Sequence, residues 1–199
     1  EYVRWVLVRK CRREVQVPVQ VPVLALSVAP EALVMPEGLD FRRYDFELAG
    51  EPHRWGDYAV GEVIDHVDAV TIEEAEHMLA TRLYQNTAKV HFNQFTEGQG
   101  RFGRRLIYCG HVISLARSLS FNGLANAFQV AAINGGRHVA PLFAGNTVFA
   151  WSQLLAVEEL PGRDDVGALR IRTIATKDRP CADYPLKAGD DYDPAVILD

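Results

Sequence analysis

Residues 109–121 restrict the fold more than any other stretch. Val112, Leu115, Ala116 and Leu119 recur there at helical spacing, and Ile113 widens the stripe into a helix apolar over much of its girth. Such a helix calls for deep burial. Asn122-Gly123 supplies a left-handed stop at its end. Three stretches rich in β-branched and aromatic residues follow, 127–134, 146–157 and 168–176, punctuated by Gly135-Gly136, Ala144-Gly145 and Pro161-Gly162. The pattern predicts an α+β chain in which an antiparallel sheet wraps the apolar helix.

Upstream, Thr71-Ile72-Glu73-Glu74 has the form of a capping box, with Ile72, Ala75, Leu79 and Leu83 as the apolar face of a helix ending near Tyr84. Short extended pieces are expected at 58–60 and 62–66. Residues 1–10 alternate like a strand whose partners lie elsewhere. Pro18, Pro22, Pro30 and Pro36 make 11–45 a linker, since proline cannot donate to a ladder; the alternative is an edge strand at 15–21. The expected organisation is a strand at 1–10, a linker at 11–45, a domain at 46–177 and a surface tail at 178–199, where acids and three prolines collect.

With 199 residues and 48% hydrophobic content, the chain can bury a substantial core. A net charge of −5 excludes nucleic-acid binding as a whole-chain property, because neutralising phosphates takes a basic excess. Locally the balance differs. Residues 98–157 hold five arginines and neither Asp nor Glu, where 26 acids in 199 residues would place about eight. Arginine without lysine suits bidentate recognition of carboxylate or phosphate. Cys11, Cys109 and Cys181 are widely spaced with no metal-ligand rhythm, which predicts a reducing, cytoplasmic setting and no metal site. The basic segment 9–13 and the apolar 15–29 imitate a signal peptide, but Gln16, Pro18, Gln20 and Pro22 interrupt it. No apolar run reaches membrane-spanning length.

The chemistry-bearing residues concentrate in YQNTAKVHFN, 84–93. His91 is either a proton carrier or a satisfied structural histidine. Asn86 cannot titrate; it either holds a water or caps the preceding helix. Gln85 and Asn93 add polar groups beside Val90 and Phe92. Gly110, at the start of the apolar helix, either offers its N–H to a carbonyl oxygen gaining charge or permits close packing. Cys109 and His111 flank it, yet helical residues two apart diverge, which disfavours a nucleophile pair. Arg101, Arg104 and Arg105 in GQGRFGRR, with Arg137 and His138 after Gly135-Gly136, are anion-binding candidates or solvated loop residues.

Taken in order, the capped helix, Asn86, His91, Asn93, LIYCGHVISLARSL and the strands that follow resemble the MaoC-like hotdog-fold hydratases. The strings HVDAVTIEEAEHMLATRLYQNTAKVHFN, GRFGRRLIYCGHVISLARSLSFNGL and AAINGGRHVAPLFAG are most similar to one member group, the mesaconyl-CoA hydratases, also called β-methylmalyl-CoA dehydratases. The resemblance covers nearly the whole chain. It implies a hotdog fold, a long central helix wrapped by an antiparallel sheet, with 1–10 as the last strand of a preceding hotdog. It also implies an acyl-CoA substrate bound where two hotdog units meet, the second being an N-terminal half or another copy, and no cofactor beyond the CoA of the substrate. The implied reaction is reversible hydration of mesaconyl-CoA to β-methylmalyl-CoA. His91 would exchange the proton, Gly110 N–H would polarise the thioester, and Arg104, Arg105, Arg137 and Asn93 would bind substrate. Asn86 departs from the family's catalytic acid and leaves His91 as the sole titrating catalyst, with Asn86 holding the water. A general (R)-specific enoyl-CoA hydratase or a noncatalytic hotdog half are the alternatives.

Overall fold

The computed structural model describes residues 27–199, so the strand expected at 1–10 and the first part of the linker lie outside the described residues. Four antiparallel strands form the main sheet: β1 (Val63–Thr71), β2 (Thr147–Glu159), β3 (Gly167–Lys177) and β6 (Val196–Leu198), in that spatial order. β4 (Lys187–Ala188) and β5 (Asp191–Tyr192) make a small separate hairpin. The helices are α1 (Phe46–Ala49), α2 (Glu74–Leu83), α3 (Gln94–Glu97), α4 (Cys109–Leu119) and α5 (Phe121–Leu124).

The two-residue period of the strands divides the core into two layers. Ala150 pairs with Ala175, and both share a buried cluster with Val112 and Ala116 of α4. Three alanines at this contact leave room for the helix backbone to lie close to the sheet. One residue along, Trp151 pairs with Ile174 on the opposite face, where Cys181 and Val196 pack against them. The antiparallel sheet on α4 is therefore the predicted α+β arrangement. α4 is less enclosed than its composition predicts, because Ile113 is 43% exposed.

Other expectations need correction. The stretch 178–199 is no surface tail: β6 pairs with β3, Val196, Ile197 and Leu198 are buried, and Trp151 Nε1 donates to Pro185 O at 3.0 Å. Arg172 grips the Asp199 carboxylate in a fork, and Tyr192 Oη donates to the same group at 2.6 Å. Residues 127–134 are irregular rather than a strand. Thr71 ends β1, its hydroxyl bonded to Thr147, and the N-cap of α2 is Glu73, whose box partner is Glu76.

β1 carries a wide bulge, with Asp65 opposite Trp151 but Ala69 opposite Phe149. Val67 within it adopts φ 62°, costly for a β-branched residue. Buried His66 holds it there: Nδ1 donates to Asn122 O at 2.7 Å, leaving Nε2 to accept from Ser152 Oγ at 2.8 Å. Gly123 is left-handed at φ 89°, but it kinks α5 and does not stop α4, whose C-cap is Ser120 in the right-handed region.

Candidate functional site

α2 delivers the first part of the site. It ends in a Schellman turn: Asn86 N–H donates to Thr81 O at 3.0 Å and Gln85 N–H to Arg82 O at 3.0 Å, with Gln85 in the left-handed region at φ 49°. Asn86 Oδ1 then accepts from Ala88 N–H at 2.8 Å, closing an Asx turn. Asn86 thus shapes the backbone through its acceptor while its amide NH2 keeps its donors. A single 3₁₀ turn, Lys89–His91, follows at once.

His91 is half-buried and anchored from fifteen residues away. Its Nδ1 donates to Leu106 O at 3.0 Å, while Leu106 N–H donates back to Val90 O at 3.0 Å. A carbonyl can only accept, so the proton sits on Nδ1 and the neutral ring keeps a lone pair on Nε2. That tautomer is the one a proton acceptor requires.

The same short segment leads into α4. Ile107 N–H bonds Leu142 O at 3.0 Å, and Tyr108 is the N-cap. The Tyr108 ring lies 5.7 Å from that of His91, centre to centre, and also covers Gly110, where an added Cβ would stand 2.7 Å from Cζ and Oη. Gly110 is the second helical residue, a position whose N–H has no acceptor within its own helix. Tyr108 therefore joins a lone-pair imidazole to a free helical amide.

Behind Tyr108 lies His77, which the spacing argument passes over. Of the apolar residues expected to bury α2, Ile72 is buried in the core but lies ahead of the helix, whereas Leu79 at 59% and Leu83 at 70% exposure point outward and His77 and Thr81 are each 1% exposed. His77 Nε2 accepts from Tyr108 N–H at 3.0 Å, and its ring stands 6.5 Å from His91 and 6.4 Å from His111. His111 Nε2 lies 3.3 Å from Glu76 Oε1. Among the described residues, no group of three His, Cys, Asp or Glu side chains is arranged to hold a metal ion.

Burial, reinforced by His91 and His111, lowers the His77 pKa from 6.5 to about 4. The unfolded chain then takes up this proton at higher pH than the folded one. The stability linked to neutral His77 is complete above 6.5 and is lost as pH falls toward about 4, by at most ~1.4 kcal/mol per pH unit. Denaturant unfolding over that window should show a shallower slope in His77→Gln than in the native chain. Equal slopes would refute a neutral buried His77.

The other predicted residues have their own engagements. Asn93 Oδ1 caps α3 by accepting from Thr96 N–H at 3.1 Å. Arg105 is tied to Glu74, Met78 Sδ and Phe92 O, and Arg104 donates to Ala144 O while lying over Phe143. Arg137 belongs to the C-terminal cluster, donating to Tyr192 Oη at 2.6 Å. Desolvation raises the Cys109 thiol pKa, the reverse of what an activated nucleophile needs.

No family model matches the chain. It is 60% identical over 201 residues to the beta-methylmalyl-CoA dehydratase of Chloroflexus aurantiacus, an alignment covering 100% of this chain and 57% of that protein. It is 59% identical to the mesaconyl-CoA hydratase of Cereibacter sphaeroides, with the same coverage. The solved structure of a MaoC domain protein dehydratase from Chloroflexus aurantiacus superimposes with a TM-score of 0.85 at 62% identity, over 90% of this chain and 51% of that one. The chain has the hotdog fold. A Mycobacterium tuberculosis protein described as a double hotdog shares the fold at 22% identity, with a TM-score of 0.53 over 83% of this chain and 46% of that one. The chain spans a little over half the length of the curated relatives it matches. No described helix is long and apolar enough to cross a membrane.

Proposed function

We propose that this hotdog carries the proton-transfer half of a reversible hydratase acting on an α,β-unsaturated acyl-CoA, with mesaconyl-CoA as substrate and β-methylmalyl-CoA as product. The observation that carries it is the tautomer of His91, fixed by Leu106 O, beside the ring that also covers Gly110. His91 Nε2 takes a proton from water as the water oxygen bonds to the β-carbon. The π electrons move through the α-carbon to the thioester oxygen, where Gly110 N–H stabilises the enolate charge. The protonated His91 then returns its proton to the α-carbon, so atoms and charge balance without a cofactor. Asn86 uses Oδ1 in its turn and keeps its NH2 to hold the water oxygen. A second hotdog unit completes the pocket in this reading, in keeping with relatives of almost twice the length and with the outward Leu79, Leu83 and Ile113.

Asn86 also supports a second reading, a hotdog half that shapes a partner's pocket without catalysing, because an amide with its oxygen committed to a turn cannot share proton transfer. One assay separates the two. The protein carrying this chain is incubated with mesaconyl-CoA and, in parallel, crotonyl-CoA, and loss of the conjugated thioester absorbance is followed. Faster loss with mesaconyl-CoA is expected; turnover unaffected by His91 replacement favours the noncatalytic reading, and preference for crotonyl-CoA points to a general enoyl-CoA hydratase.

A further inference from the structure

We propose that His77 is a positioning residue for this site: it fixes the main chain of Tyr108 and, through it, the first turn of α4 that presents Gly110 N–H. The inference rests on the hydration reading above. Three observations lead to it. His77 is 1% exposed although it carries two polar nitrogens, and it occupies the face of α2 turned inward while Leu79 and Leu83 point out. Its Nε2 is the acceptor for Tyr108 N–H, one of the helix-start amides that α4 itself cannot satisfy. Its Nδ1, which must therefore hold the proton, has no partner among the described residues.

A leucine there would avoid an unpaired buried donor, so packing alone does not account for histidine at this position. What histidine adds is an acceptor of fixed direction. Tyr108 sits between two groups that must keep register with the substrate, since its ring contacts His91 and covers Gly110. Holding its amide fixes both. The groups facing His77 are His91 from the 3₁₀ turn, His111 from α4, Arg105 from the segment before α4 and Glu74 from its own helix. Burial keeps the ring neutral in this setting, so it remains an acceptor and adds no repulsion when His91 gains a proton.

The test compares His77→Gln, whose amide oxygen can take the place of Nε2 and cannot titrate, with His77→Leu, which has no acceptor. Hydration kinetics on mesaconyl-CoA and hydrogen exchange of the Tyr108 amide are measured on the whole protein. His77→Leu is expected to lower kcat about 100-fold with KM within about threefold and to speed Tyr108 exchange about 100-fold, and His77→Gln to recover most of both. Undiminished kcat in His77→Leu, or a glutamine variant as impaired as the leucine one, overturns the proposal. If the leucine variant does not fold, the glutamine variant decides alone: slow Tyr108 exchange and kcat above about one tenth of native support the role, and loss of either overturns it. A native protein without turnover overturns the hydration reading and this role together, whereas native turnover with indifferent variants overturns His77 alone.

Discussion

His91→Ala is expected to lower hydratase turnover by about 10²–10⁴-fold, the range over which positioned acid–base groups act. Its structural cost is small by comparison. The variant loses one hydrogen bond, Nδ1 to Leu106 O, at a half-buried position, worth about 1 kcal/mol. The 3₁₀ turn that carries residue 91 is held independently by the bond between Leu106 N–H and Val90 O and by the Asx turn at Asn86. Binding of CoA should therefore survive while turnover falls, and the measurement is kcat beside a CoA dissociation constant. Native turnover in the variant would remove His91 from the mechanism, and a parallel loss of binding and melting temperature would make it a structural residue.

The limits of sequence inference are clearest in α2. Ile72, Ala75, Leu79 and Leu83 have true helical spacing, and a helix does form over Glu74–Leu83. Yet the enclosed face is the polar one. Thr81 Oγ1 returns a hydrogen bond to His77 O at 2.8 Å and His77 accepts from Tyr108, so both polar groups can be buried without leaving their acceptors and hydroxyl unpaired. Apolar periodicity identifies a face that wants cover and does not say whether the same chain supplies it. A histidine directly after Glu76 and four before Thr81 is the available signal, and it is weak without coordinates.

Strand prediction fails at 127–134 for a related reason. Residues 146–157 and 168–176 are legible because β2 and β3 find partners on each other. FQVAAI has similar composition, but Phe128, Val130 and Ile133 are exposed, and β propensity expresses packing on a sheet more than an intrinsic preference. At the C-terminus, prolines and acids conceal the short run Val196-Ile197-Leu198, which is enough to close the sheet beside β3. Within the site, the spacing of Asn86 and His91 is visible along the chain. The bond that selects the His91 tautomer comes from Leu106, which no local pattern announces.

Gly110→Ala should reverse the usual sign of a glycine-to-alanine change in a helix. At an unobstructed helical position alanine gains about 1 kcal/mol over glycine. Here the new Cβ would stand 2.7 Å from Tyr108 Cζ and Oη and 2.8 Å from Cε1, closer than such atoms can approach. Overpacking costs about 1–3 kcal/mol, which exceeds the gain. The obstructing atoms are the far end of a side chain whose backbone amide is held by His77, so the ring swings aside more readily than the helix start shifts. That motion takes the ring from its place beside His91 and Tyr84. Turnover is expected to fall about 10²-fold, comparable to loss of one oxyanion donor, with only about 1 kcal/mol of net stability lost. The double variant Tyr108→Ala, Gly110→Ala isolates the cause, because Gly110→Ala made in a chain already lacking the ring should be stabilising. If Gly110→Ala still destabilises the chain without the Tyr108 ring, the helix backbone, and not the aromatic cover, requires glycine at this position.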